Sequence, residues 1–177
     1  MKLFWLGMAA LLSVWLQSPD QTDPQVEDDD TVAVFKASYL FKFATSNDWP
    51  ADAKTGPFKV GIFGNSSVYE NFLNKFATHA VGSQVVEVEE ITSANFDEFY
   101  HMIYVDRAMS SEFKKVIDSV GDAHTLVVAD DKSFINSGAC ISFVVVDNAT
   151  KYIINSEAAQ KKGITFGSTI ILWSVSE

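Results

Sequence analysis

The sequence predicts an α/β fold: a single domain with a mostly parallel sheet, an antiparallel edge hairpin and helices on both faces. Three observations carry this. Strand-length apolar runs alternate with helix-period segments from residue 58 to residue 131. One of them, "HTLVVADD" at 124–131, is continuously apolar between polar ends, as a strand covered on both faces is. After residue 139 the alternation gives way to two adjacent apolar runs, "CISFVVVDNATKYIIN", joined at Asp147 to Thr150 in a hairpin pattern.

The elements follow in chain order. Residues 1–20 read as a secretory signal, with Lys2 ahead of an apolar run from Leu3 to Leu16. The run is shorter than the roughly 20 residues that span a bilayer. No clean small-residue cleavage site follows it, and an uncleaved anchor is the alternative reading. No Cys follows it either, which excludes a lipoprotein anchor. Residues 21–30, "QTDPQVEDDD", form an acidic linker, and 31–177 form the domain.

A helix is expected over 31–45, ending before Trp49-Pro50, because proline bars the α region to the residue before it. Phe35, Tyr39 and Phe43 share one side of that helix, which leaves Phe41 to face outward. "FKVGIFG", 58–64, reads as a strand. The helix "SSVYENFLNKFATH" carries Tyr69, Phe72, Leu73 and Phe76 on one face and a Ser67/Glu70 capping box. "QVVEVEEI" and "HMIYVD" read as strands, the first half-exposed. "SSEFKKVIDSVG" is a helix with Phe113, Val116, Ile117 and Val120 inward and Gly121 as its stop. "SEAAQKKG" is a short helix capped by Asn155 or Ser156, and "STIILWSVSE" fits helix or strand equally.

Composition excludes several classes of function. A chain of 177 residues holds one ordinary domain. Its net charge of −10 repels nucleic acid and anionic membrane surfaces. Cys140 is the sole cysteine, so there is no internal disulfide; beside Ile141 and Phe143 it reads as a small buried hydrophobe. His79, His101 and His124 stand far apart in no zinc-binding spacing. "GNSS", 64–67, lacks the lysine of a P-loop and the glycines of a dinucleotide fingerprint. No catalytic residue, metal or cofactor is therefore expected.

Polar residues do collect at the strand ends, where ligands enter an open parallel sheet. The candidate ligand crevice is Asn65, Ser66, Asp106 and Arg107, with Asp130 and Asp131 at the next strand end. Arg107 is the only arginine in the chain, able to read a carboxylate bidentately or to pair with Asp106 or Asp131.

Four stretches then resemble one family, in the right order. "FKASYLFKFATSNDWP" resembles the opening of YfiR-like periplasmic domains, a K-A-x-x-L-x-x-F helix leading into Trp-Pro. "FKVGIFGNS" is similar to the family's first strand and turn, and "SGACISFVVVDNATKYIIN" to its G-x-x-I-x-F-V strand and hairpin. "INSEAAQKKGITFGSTII" is similar to its closing element. Lys42 stands where an Asn is usual, Gly167-Ser168 where a Ser pair is usual, and the lone Cys140 removes control through an internal disulfide.

The resemblance covers residues 32–177. It implies a non-catalytic periplasmic regulator acting on the periplasmic part of an inner-membrane signalling protein, a diguanylate cyclase or a sensor kinase. Partner contact is expected at Phe41 and Trp49, with Trp49 mainly packing. A homodimer is admitted among the partners. The alternative function is a periplasmic small-molecule-binding protein that uses the strand-end crevice.

Overall fold

The computed structural model describes residues 29–176. The secretory signal expected over 1–20 and the linker expected from 21, up to residue 28, lie outside the described residues. The linker's last two residues, Asp29 and Asp30, open helix α1 (Asp29–Ser46), where their charge complements the helix dipole.

The remaining helices are α2 (Ser66–Phe76), α3 (Phe113–Val120), α4 (Ser156–Lys161) and α5 (Ser168–Trp173). The strands are β1 (Phe58–Phe63), β2 (Ala80–Val81), β3 (Gln84–Ile91), β4 (Met102–Val105), β5 (Leu126–Ala129), β6 (Ile141–Val146) and β7 (Ala149–Ile154). They form one sheet in the order β2-β3-β1-β4-β5-β6-β7. β3, β1, β4, β5 and β6 run parallel, while β2 and β7 are antiparallel at the two edges. The register places Val60 beside Met102, Met102 beside Leu126, and Val128 beside Ile141. The α/β class, the parallel core and the edge hairpin stand as the sequence predicts.

Each face of the sheet carries its own core. On one, Leu40 and Phe43 of α1, Val68 and Phe72 of α2, and Ile170 of α5 cover Val60, Met102 and Leu126. On the other, Phe113, Val116 and Val120 of α3 cover Ile103, Val105 and Val127. Both faces of β4 and β5 are thereby covered, and every residue of those strands is buried.

Local details depart from the sequence reading. α2 is capped by Asn65, whose side-chain oxygen accepts from the Val68 N–H at 3.0 Å. The Ser67/Glu70 box is not the start of the helix, because Asn65 satisfies the same orphan donors two residues earlier. α3 begins only at Phe113; residues 107–112 form a 3₁₀ segment capped by Asp106. The β6–β7 loop is two residues, Asp147 and Asn148, both at positive φ (51° and 57°), as a tight primed turn requires. "STIILW" resolves as helix α5, which packs on the C-terminal end of α1. Gly167 makes that approach possible: a Cβ there would lie 1.9 Å from the Ser46 carbonyl oxygen.

Phe41 does not face outward. It is half-buried and stacks on Phe76 with ring centroids 4.2 Å apart and planes 7° from parallel. α2 lies over that side of α1, so α1 is enclosed by the sheet, α2 and α5 together rather than by one apolar stripe. Phe35, Tyr39 and Phe43 do form a row, at 5.4 and 5.9 Å centroid spacing, and Tyr39 reaches the hairpin residue Tyr152.

Candidate functional site

The sheet order reverses direction at β1. The chain leaves β1 through α2 to β3 on one side, and β4 pairs on the other. The connections at the C-terminal ends of β1 and β4 therefore diverge, and a crevice opens between them. Its volume is about 920 Å³, and α1 and the β6–β7 hairpin form its remaining walls.

Asn65 and Asp106 meet at the back of this crevice. The Asn65 amide donates to Asp106 Oδ2 at 2.7 Å, and the Tyr104 hydroxyl donates to the same oxygen at 3.0 Å. The Ala108 N–H donates to Asp106 Oδ1 at 2.9 Å. Both carboxylate oxygens are thus occupied from within. Tyr104 is fully buried beside two carboxylates; burial first, then Asp130 and Asp106, hold its hydroxyl well above the usual tyrosine range.

Two cations converge on one residue of the next strand end. Lys36 of α1 donates from Nζ to Asp130 Oδ2 at 2.7 Å, and both residues are more than nine-tenths buried. Arg107 donates from Nε to the Asp130 backbone oxygen at 3.2 Å and lies 3.7 Å from Asp131. Burial pushes the Asp130 carboxyl upward, opposed by the hydrogen bond and charge of Lys36. Asp131 is held low chiefly by the Ser133 N–H that donates to it.

Of the four residues read from the sequence as crevice, Asn65, Asp106 and Arg107 line it. Ser66 does not; its hydroxyl bonds the Glu90 carboxylate on the β3 side, and Ser67 takes the place at the wall. Lys36 was not among the sequence-read residues. Its signal is a charged residue on the buried stripe of α1, between Ala33, Ala37 and Leu40.

Trp49 lies 4% exposed at the far end of the sheet, with its ring edge-on to Phe58 at 5.0 Å. Its indole N–H donates to the His101 carbonyl at 3.3 Å. His101 itself accepts from the Lys59 N–H through Nδ1 (3.1 Å) and lies 2.7 Å from the Ala53 carbonyl through Nε2. This pattern describes a neutral imidazole with its proton on Nε2. Burial lowers its pKa, against the raising effect of the Ala53 contact.

A second surface stands apart from the crevice. Ile171, Leu172 and Trp173 of α5 are exposed at 51%, 79% and 57%, and Phe35 of α1 at 45%. Trp173 lies under the Lys42 ammonium at 5.9 Å, and Lys42 shares the α1 face of Phe35 and Tyr39 by helical spacing. Among the described residues no three of His, Cys, Asp and Glu gather into a metal-binding group, and no helix is long and apolar enough to cross a membrane.

The model of the YfiR/HmsC-like family matches residues 33–172. No curated protein matches the chain. A solved structure of a conserved domain protein from Vibrio cholerae is similar at a TM-score of 0.58 and 16% identity, over 81% of this chain and 59% of that one. The ABC domain of Streptococcus pneumoniae in complex with L-Trp is similar at 0.51 and 16%, over 80% of this chain and 59% of that one. This chain thus spans about three-fifths of each of those structures, and at such identity the likeness is one of fold.

Proposed function

The chain belongs to the YfiR/HmsC-like family, and from that premise we propose that it is a non-catalytic periplasmic module that restrains an inner-membrane signalling protein by direct contact. Members of this family are periplasmic regulators associated with cyclic di-GMP signalling and act on membrane signalling proteins. The partner in this reading is a diguanylate cyclase or a sensor kinase, met through its periplasmic part.

One observation supports contact as the mode of action. An otherwise acidic domain leaves Ile171, Leu172 and Trp173 of α5 exposed, and Phe35 of α1 as well. Three consecutive large apolar side chains exposed on one short helix mark a protein interface rather than a solvated face. Phe41 and Trp49 then act from inside, by fixing the position of α1, and their exposed neighbours make the contact.

Deletion of the chain in its host tests the reading. With a cyclase as partner, cyclic di-GMP rises on deletion and returns on complementation. With a kinase as partner, cyclic di-GMP is unchanged while phosphorylation of the kinase's target shifts. No change in either signal overturns the proposal.

A further inference from the structure

We infer that the crevice at the ends of β1, β4 and β5 binds the oxyanion of a small molecule, a carboxylate or a phosphate, with the molecule's apolar part along the hairpin wall. This stands independently of the partner reading. Two cationic side chains meet at this crevice with donors unused by the protein. The Asp106 carboxylate is occupied by three donors, from Asn65, Tyr104 and Ala108. Asp130 Oδ2 is occupied by Lys36, while its Oδ1 takes no hydrogen bond among the described residues. Asp29, in the first turn of α1, is the other carboxylate of the lining.

The donors keep capacity of their own. Lys36 makes one hydrogen bond, leaving two of its ammonium N–H groups for the crevice. Arg107 engages its protein partners through Nε alone, so its two terminal amino groups are free to form a fork. Asn65 keeps one amide N–H beyond the bond to Asp106.

Geometry makes these donors one site. Asp130 holds Lys36 through its side chain and Arg107 through its backbone oxygen, so a single residue positions both cations. The Lys36 side chain is only 11% exposed, and a charge so placed interacts more strongly with a counter-charge than one in water. Its apolar lining comes from Val32 and Ala33 of α1 and from Phe143, Val144 and Val145 of β6. The volume of about 920 Å³ suits a small organic molecule and is larger than a lone ion needs.

Isothermal titration of the purified protein at low ionic strength tests this, with inorganic phosphate and hexanoate as separate probes. Saturable binding of phosphate alone assigns a phosphate site; of hexanoate alone, a carboxylate site; of both in competition, a shared oxyanion site. In each case Arg107→Gln weakens binding by at least about tenfold while leaving the melting temperature unchanged, because that side chain is mostly exposed. Absence of saturation with both probes, or equal binding by Arg107→Gln, overturns the inference.

Discussion

Lys36 and Asp130 form a buried ion pair of 2.7 Å that ties the first helix of the domain to the C-terminal end of its fourth parallel strand. The partners lie 94 residues apart in sequence. Removing one partner strands a buried charge. Lys36→Met or Asp130→Leu is expected to cost about 3–5 kcal/mol in urea unfolding. The double variant Lys36→Met/Asp130→Leu, with neither charge left, recovers much of that loss. Strictly additive losses would show that the two groups do not act as a pair.

Trp49 and Phe41 differ in burial, and their truncations should differ accordingly. Trp49→Ala loses a closed aromatic contact with Phe58 and is expected to cost about 3–5 kcal/mol. Phe41→Ala opens the stack on Phe76 at a half-buried site and is expected to cost about half as much. Equal losses in thermal melts would place Phe41 in the core proper.

His101 gives the domain an acid-sensitive point. Its folded-state pKa is depressed, with burial as the main cause, so the unfolded chain takes up a proton before the folded chain does. The stability this confers is complete above the ordinary histidine pKa and is lost as pH falls through the lowered value. Unfolding free energies of the wild type should therefore fall on acidification below about pH 6.5. His101→Gln, though less stable throughout, should lose part of that slope. An unchanged slope would assign the acid sensitivity to other groups.

Gly167→Ala tests how α5 is seated. The added methyl meets the Ser46 carbonyl, a backbone atom that cannot swing aside. The loss expected is about 1–3 kcal/mol by chemical denaturation, with α5 displaced from α1. A neutral result would mean that α5 is not held against Ser46.

Local features of this fold were legible in the sequence, and long-range ones were not. The hairpin, read at Asp147 to Thr150 and turning at Asp147-Asn148, the Gly121 stop and the cap read as Asn155 or Ser156 and found at Asn155 each depend on residues within a few positions of one another. The strand-end position of Asn65, Asp106 and Arg107 followed from the alternation of strands and helices. The Lys36–Asp130 pair depends on which strand α1 crosses, which no local pattern encodes. Phe41 was misread because helical periodicity reports how many faces a helix buries, not that α2 would cover one of them. Ser67 takes the crevice place expected of Ser66, and Ser66 turns to Glu90, because the true cap, Asn65, sets the helix phase.

The claim that this domain acts through its α5 surface is tested most directly by photocrosslinking in the host envelope. A photoreactive residue replaces Leu172, exposed at 79% on α5, or, as the control, Asp118 on α3, which covers the opposite face of the sheet. The account predicts that position 172 crosslinks to the periplasmic part of an inner-membrane signalling protein and position 118 does not. Trp173→Ala should weaken the same contact by about 2 kcal/mol with the fold intact. Crosslinking to that protein from position 118 alone, or from neither position, would contradict it.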